Sequence, residues 1–275
     1  MDRFNTTKEE LAKLGSELNS EALPLLEKFY TTSFGILLDK KAAGKIILQT
    51  YSEAIDYCDK TKAYADWWGF IHRIWMREIL DFYAPKENDT QTKFDFIDFA
   101  KVDSGGIKIF FSDDKFDSVP VDKDFFNTLK KMPSVLKVPL ILKELHNLNY
   151  YKIAELIDVP DGVVATRIYR ARKLLYLFLK DNFSYKEQRK IGLPDNFTPV
   201  IFKKRKCAML VDDELNDEES SKFKKIIEIE SDYKNEFLIQ ERIKKLVHKF
   251  PIDLSPVKRL KSKIARKANK RFGKI

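Results

Sequence analysis

The sequence is poor in the residues that build disulfide, metal and catalytic sites. It has two cysteines, three histidines and nine glycines among its 275 residues. Two cysteines cannot form a disulfide framework, and the wide separation of these cysteines and histidines excludes the usual closed zinc site. No Gly-rich phosphate loop, HExxH, G-x-S-x-G or CxxC motif is present. The sequence therefore predicts no catalytic residues, no metal site and no cofactor, and an enzyme is not expected.

Long apolar runs are also missing. No run approaches the roughly 20 residues that a membrane-spanning helix needs. The first ten residues, MDRFNTTKEE, are polar and charged, unlike a secretory signal. We therefore expect a cytoplasmic protein without a membrane partner. What is present is 44% hydrophobic and 34% charged residues, enough apolar material for true cores, and the length suggests about two domains.

The positive charge is concentrated at one end of the chain. The net charge is +9, from 51 basic and 42 acidic residues. Nine basic residues and no acidic residue lie between Lys258 and Lys274. The chain before this tail is therefore balanced. A block of like charge is typical of a solvated arm, or of a nucleic-acid contact that releases counterions, and both interpretations remain open.

Apolar residues recur at helical spacing through most of the chain. We predict an all-α fold of two small helical domains joined by a linker, followed by a C-terminal helical extension. The predicted segments are a first domain at 1–84, a linker at 85–124, a second domain at 125–185, a linker at 186–206, a helical extension at 207–250 and a basic tail at 251–275.

The sharpest local motif lies between residues 148 and 175, where a helix, a short turn and a second helix are predicted. Asn149 is suited to cap the first helix, and Asp158 tolerates the left-handed conformation at the turn. The buried face of the second helix is predicted to carry Val164, Ile168, Ala171 and Leu175. A hairpin of this kind is the helix-turn-helix, whose second helix enters the DNA major groove. An amphipathic hairpin inside a core is the alternative.

Residues 132–175 resemble region 4 of the extracytoplasmic-function (ECF) sigma factors. Met132-Pro133 stands where the family has Leu-Pro, and Arg170-Ala171-Arg172 fits its R-A-R pattern. In that family the second helix reads the −35 promoter element. Ala165 replaces the usual Lys or Arg, which removes a candidate guanine reader. The resemblance implies DNA contacts along the outer face of this helix, by Gly162, Val163, Ala165, Thr166, Tyr169, Arg170 and Lys173.

Residues 22–83 resemble region 2 of the same family, through AAGKIILQTYSEA at 42–54 and WWGFIHRIWMREILDFY at 67–83. The family uses the first of these helices to grip RNA polymerase. The second helix and the loop before it open the −10 element. The resemblance implies polymerase contacts by Lys45, Leu48 and Gln49. It implies −10 contacts by Lys60, Lys62, His72, Arg73, Met76 and Arg77.

The second region 2-like helix is rich in aromatic and basic residues, as strand opening requires. Aromatic faces stack on unpaired bases, at about 1–3 kcal/mol per base, and basic groups follow the phosphates. An aromatic stripe at helical spacing is more often core. We expect His72, Arg73, Met76 and Arg77 on the exposed face. We expect a core formed by Phe70, Ile71, Ile74 and Ile79.

Residues 207–247 resemble the anti-sigma domains of zinc-binding anti-sigma factors, through LVDDELNDEE followed by an amphipathic helix pair. The family's zinc ligands fall on Ile226, Glu230 and Tyr233, so the resemblance implies a domain without zinc. It also implies regulation of promoter binding in cis. A helical extension without a regulatory role is the alternative.

The sequence thus predicts an RNA polymerase sigma factor of the ECF type. Its partners would be core RNA polymerase, promoter DNA and either a separate anti-sigma factor or its own extension. One alternative is a helix-turn-helix regulator that has lost polymerase binding, which Lys45 and Leu48 favour because the family carries polar or acidic residues there. A third interpretation is an interaction protein, a sigma-like decoy held by its own tail.

Overall fold

The computed structural model describes residues 7–58, 66–87, 123–181 and 199–273. Every regular element in these ranges is helical, which confirms the all-α prediction. The chain forms two compact units. The first comprises Met1–Lys86 and Ile252–Ile275, and the second comprises Glu87–Pro251.

The first unit is built from four helices of the N-terminal part and one from the C-terminus. A π-helical turn at Leu18–Ala22 and a 3₁₀ turn at Leu23–Leu25 join the first helix to the second. The helices are α1 (Lys8–Glu17), α2 (Leu26–Leu37), α3 (Lys40–Tyr57), α4 (Trp67–Glu87) and α12 (Ser255–Phe272). Asp39 caps α3, since its carboxylate accepts from the Lys41 amide at 2.7 Å and the Ala42 amide at 3.0 Å.

Aromatic side chains of three helices form the core of this unit. The Phe29 ring lies 4.8 Å from the Trp75 ring and 6.3 Å from the Tyr51 ring, centroid to centroid. Polar ends of these rings are satisfied, because the Trp75 indole donates to the Ser33 hydroxyl at 2.8 Å. The four residues predicted as core are buried as expected: Phe70, Ile71, Ile74 and Ile79.

The second unit contains the predicted helix-turn-helix and the helices that follow it. In chain order they are α5 (Lys123–Lys131), α6 (Ser134–Glu144), α7 (Tyr150–Ile157), α8 (Asp161–Asp181), α9 (Pro199–Val211), α10 (Asp217–Ile229) and α11 (Ser231–His248). Helices α5, α6 and α7 pack against α8, and so do α9 and α11. Helix α10 packs against α11.

Three helices extend into segments predicted as linkers, and one of them, α5, does so by only two residues at its start. Helix α4 continues through Pro85 to Glu87, although proline has no amide hydrogen to donate to the preceding turn. Helix α9 begins at Pro199, so the KKRK run at 203–206 is helical. Proline is favoured at a helix start, which fits Pro199 as the first residue of α9. The run of cations masks the helical spacing of the apolar residues beside it in the sequence. The rest of both predicted linkers, 88–122 and 186–198, lies outside the described residues.

The basic tail is a helix with two distinct faces. Leu260, Ile264, Ala268 and Phe272 recur every four residues along α12, and all four are buried. Helix α12 packs against α1, α2 and α3 of its own unit. The charge of the tail is typical of a solvated arm or a nucleic-acid contact, whereas its four-residue apolar spacing predicts a packed helix.

Candidate nucleic-acid interface

The helix-turn-helix forms as its local sequence predicts. The Asn149 side chain caps α7 and accepts from the Lys152 amide at 2.8 Å. Asp158 ends α7 in the left-handed region, with a φ of 52°, which a short polar residue tolerates. The predicted inner face of α8 is buried: Val164, Ile168, Ala171 and Leu175. The turn and the buried stripe of the motif are therefore confirmed.

The outer face of α8 is also buried. We call the seven residues predicted to contact DNA the recognition face: Gly162, Val163, Ala165, Thr166, Tyr169, Arg170 and Lys173. Gly162 is half-buried and the other six are buried. The expectation that this face is open is therefore wrong for the folded chain, because helices from the C-terminal extension lie over it. The predicted contacts with DNA stay predictions.

Helix α11 places a carboxylate on the recognition face. Glu236 accepts from the Tyr169 hydroxyl at 2.9 Å, and its other oxygen lies 2.6 Å from the Lys173 ammonium. One turn further along α11, the Gln240 side chain donates to the backbone carbonyl of Tyr169 at 3.2 Å. The Lys173–Glu236 pair is almost fully buried. The two groups are therefore paired with each other away from water.

Helix α9 covers the start of the recognition face. The Arg205 guanidinium donates to the Gly162 carbonyl at 3.0 Å. Ile201 and Ala208 form a buried apolar cluster with the Tyr169 ring. Burial lowers the pKa of Arg205, which remains a cation at any physiological pH. The two covering helices thus meet both the polar and the apolar side chains of α8.

The loop after α9 adds a buried ionic network against the helix-turn-helix. Arg172 of α8 bonds both Asp212 oxygens, at 2.7 and 2.9 Å, and its Nε donates to Glu144 of α6 at 2.9 Å. The Tyr150 hydroxyl donates to Asp212 at 2.7 Å. Glu214 accepts from the Lys143 ammonium at 2.6 Å. Every helix of the helix-turn-helix hairpin is therefore bonded to this loop.

The protonation equilibria in this network favour its charged form. Burial is the largest influence and alone would raise the pKa of Asp212. The charge and hydrogen bonds of Arg172, the Tyr150 hydroxyl and the Lys244 charge together outweigh it, so the Asp212 pKa lies below its ordinary value. Burial opposes the charge on Arg172 too, yet Glu144 and Asp212 leave its pKa raised. The pKa of Tyr150 is raised by burial and then by Asp212, so its hydroxyl stays a donor. Asp212 and Arg172 therefore remain ionised as a pair.

The predicted −10 residues on α4 divide into two groups. His72 and Met76 are buried, so the expectation that they face solvent is wrong. His72 stacks on Trp68 at 3.8 Å between ring centroids and bonds the Trp68 carbonyl, which places it in the aromatic core. Arg73 and Arg77 are exposed. Lys60 and Lys62 lie outside the described residues.

The predicted polymerase-binding residues lie on α3 beside the contact with α12. Lys45 and Gln49 are exposed and Leu48 is half-buried. The contacts with α12 lie on the neighbouring stripe of α3, which includes Gly44 and Ser52. Leu260 lies over Gly44, 3.8 Å from the place of a Cβ there.

Further along α3, Lys267 of α12 bonds the Ser52 hydroxyl and lies 2.5 Å from the Asp56 carboxylate. Leu48 follows Gly44 by one turn on this stripe, so α12 limits access to part of the predicted polymerase surface. A groove of about 610 Å³ opens beside it, between Gln49 of α3 and Arg77 of α4.

The positions aligned with zinc ligands do not share one helix. Ile226 is in α10, Glu230 joins α10 to α11, and Tyr233 is in α11. The Tyr233 ring instead packs on Phe223 at 5.6 Å. Burial raises the pKa of the Cys207 thiol, which therefore stays protonated. In the described ranges no three His, Cys, Asp or Glu side chains are placed to hold a metal ion.

Among the described helices, none is both long and apolar enough to cross a membrane.

The sequence did not indicate the side chains that cover α8, namely Arg205, Asp212 and Glu236. Asp212 lies in the LVDDELNDEE stretch that carried the anti-sigma resemblance. Glu236 and Arg205 have no local signal, since a glutamate and an arginine on amphipathic helices are usually solvated.

Comparison with known proteins identifies part of the second unit. The family Sigma-70, region 4 matches residues 124–175, from α5 into α8. The ECF RNA polymerase sigma-E factor of Haemophilus influenzae is 40% identical over 58 residues, 21% of this chain and 31% of that protein. The proteins of the same name from Escherichia coli K12 and Salmonella typhimurium LT2 are 40% identical over 50 residues, 18% of this chain and 26% of each relative.

The matched part therefore spans a third or less of these relatives. The resemblance of residues 132–175 to region 4 is confirmed, and this part of the chain carries a helix-turn-helix of the sigma-70 region 4 type. The resemblances of the N-terminal part to region 2 and of residues 207–247 to anti-sigma domains stay predictions.

Proposed function

We propose that the chain is an ECF-type sigma factor that directs core RNA polymerase to promoters and is restrained by its own C-terminal extension. The observation that carries this proposal is the burial of the recognition face by α9 and α11. A region 4 helix reads DNA through side chains that reach base edges. In the covered form Tyr169 and Lys173 bind Glu236 instead.

The chemistry of this contact supports competition with DNA. Lys173 and Tyr169 offer a cation and a hydroxyl, the groups that contact phosphate and base edges. Glu236 supplies the negative charge that a phosphate would supply. DNA and α11 therefore bind the same groups, and one must leave before the other binds. Promoter binding requires α11 to separate from α8.

A second contact supports restraint of polymerase binding. Helix α12 packs along the α3 stripe that includes Gly44 and Ser52, next to the predicted polymerase contacts Lys45 and Gln49. A partner that embraces α3 would meet α12. Helix α12 of the tail would thus act on polymerase binding in the first unit, and α9 and α11 on promoter reading in the second.

Reconstituted transcription with core polymerase on genomic fragments tests the proposal. Glu236→Gln leaves Lys173 without a carboxylate on the covered face, and Arg205→Gln weakens the α9 contact at Gly162. Each change should raise promoter binding and transcription about tenfold or more. Weakening the covered form by about 1.4 kcal/mol shifts its equilibrium with the open form tenfold. Glu241→Gln is the matched control, since Glu241 lies on α11 and pairs with Lys245 of the same helix.

The outcomes separate the alternatives. Failure of both the intact chain and Glu236→Gln to bind core polymerase, with promoter DNA still bound, would assign a helix-turn-helix regulator. Equal transcription by the intact chain, Glu236→Gln and Arg205→Gln would remove the case for restraint in cis and leave the sigma assignment standing. Thermal unfolding of each variant checks that the second unit still folds.

A further inference from the structure

The exposed side of α12 carries a row of cations. We call it the basic face of α12: Lys258, Arg259, Lys263, Arg266 and Lys270. All five are exposed. At 100° per residue they lie on the side opposite the buried stripe that begins at Leu260. The helix thus turns its apolar residues to the unit and its cations to solvent.

These cations are not neutralised by acidic side chains, and Arg266 makes only a hydrogen bond to the Ser262 carbonyl of its own helix, at 3.4 Å. Among the residues that the structure describes, no carboxylate forms an ion pair with any of the five. By contrast Lys267, on the flank of the same helix, is bound to Asp56 and Ser52. A face of five unneutralised cations costs self-repulsion, and an anionic partner removes that cost.

We propose that the basic face of α12 is a second nucleic-acid surface, which binds the phosphates of duplex DNA without regard to sequence and works while the recognition face is covered. Its length suits this partner. From Lys258 to Lys270 the helix rises about 18 Å. One DNA strand presents one charge per roughly 3.4 Å of axis, so about five phosphates lie along that distance.

The apolar side of α12 favours DNA over a lipid surface. A helix that binds a membrane inserts its apolar face among the lipids. The apolar residues of α12, among them Ile264 and Phe272, are buried against the rest of the unit. What remains exposed is charge, which matches a phosphate backbone. Binding of this kind is electrostatic and depends steeply on salt.

The surface would give the covered chain a means to stay on DNA. Non-specific contacts hold a protein near the duplex and let it slide and hop. The recognition face is closed to DNA by Glu236 and Arg205, whereas the basic face is open in the same structure.

Titration of a fluorescent duplex without promoter sequence tests it, with the full chain, no polymerase and a range of salt. Five contacts predict a slope of log K against log salt of about −4.5, a loss of roughly 500-fold between about 50 and 200 mM. Changing all five residues of the basic face to Gln should abolish most of the binding. The double variant Arg259→Gln with Arg266→Gln should reduce the slope by about 1.8.

Lys267→Gln is the matched control, because it removes one charge from the same helix outside the basic face. Its slope should equal that of the intact chain. Gln has a helix propensity close to that of Lys and Arg, and the variant loses the self-repulsion of the five cations, so its thermal midpoint should be no lower than that of the intact chain. Duplex binding that survives in that variant would overturn the inference. The inference would also be overturned if the intact chain bound vesicles of anionic lipid through these residues but did not bind the duplex.

Discussion

In the second unit the covering helices meet the helix-turn-helix through buried charges, whereas in the first unit α12 meets α3 through an apolar stripe flanked by exposed ion pairs. Arg172 and its partners Glu144 and Asp212 have fully buried side chains. The Lys267–Asp56 pair of the first unit is 37% and 48% exposed. The two contacts therefore respond differently to loss of a charge.

The difference has a physical basis in desolvation. An ion pair in water contributes roughly 0–1 kcal/mol, since both groups are nearly as well solvated apart. Removing one partner of a buried pair costs about 3–5 kcal/mol, because the other charge stays buried alone. The contact of α8 with α9, α11 and the loop after α9 is therefore strongly destabilised when one charge of a buried pair is removed. The contact of α12 depends on apolar shape.

The largest effect is expected from Asp212→Asn. This change keeps the shape of the side chain and removes the charge that faces Arg172, the Tyr150 hydroxyl and Lys244. It should destabilise the second unit by about 3–5 kcal/mol, measured by urea denaturation at neutral pH. Asp213→Asn is the control. Asp213 is exposed, and its positive φ of 57° suits Asn equally.

The pH dependence of stability supplies a second measurement on the same residue. The folded pKa of Asp212 is lowered, so its stabilisation is complete above the ordinary carboxyl pKa of about 4 and is lost as pH falls through the lowered value. The intact chain should lose stability over this acid range. Asp212→Asn should show a flatter profile there. Parallel profiles would contradict the buried pairing of Asp212 with Arg172.

A smaller effect tests the apolar contact of α12 through Gly44. A Cβ at Gly44 would lie 3.8 Å from Leu260, an ordinary contact, so Gly44→Ala should stabilise the first unit by about 0.5–1 kcal/mol. Gly44→Leu should destabilise it by about 1–3 kcal/mol, because the added carbons collide with Leu260. Leu and Ala have similar helix propensities. Thermal unfolding measures both effects. If both variants stabilised the first unit, α12 would not pack over Gly44.

The helix-turn-helix was predictable because its signals are local. Asn149, Asp158 and the stripe through Val164 each act over one or two turns, and the structure uses them in the predicted way. The burial of the recognition face by α9 and α11 was not predictable, since it joins residues far apart in sequence. Lys173 and Glu236 are 63 residues apart, and nothing near either residue indicates the other.

The remaining errors come from reading side chains by type. His72 and Met76 are expected on the exposed face of α4 but are buried. Stacking on Trp68 and a bond to the Trp68 carbonyl satisfy the His72 ring inside the core. The tail was read by its charge, which a helix can carry on one side only. Its apolar period through Leu260 and Ile264 predicts the packed side.

The smallest effect is expected from Lys267→Gln, the counterpart of Asp212→Asn in the first unit. Lys267 contacts Asp56 at 2.5 Å, yet both side chains are partly in water. Loss of this pair should cost less than about 1 kcal/mol, because water solvates the remaining carboxylate. Urea denaturation at low and high salt measures it, and added salt should shrink the difference between Lys267→Gln and the intact chain. A cost as large as that of Asp212→Asn would mean that α12 is held by charge as the loop after α9 is, and the contrast between the two units would not hold.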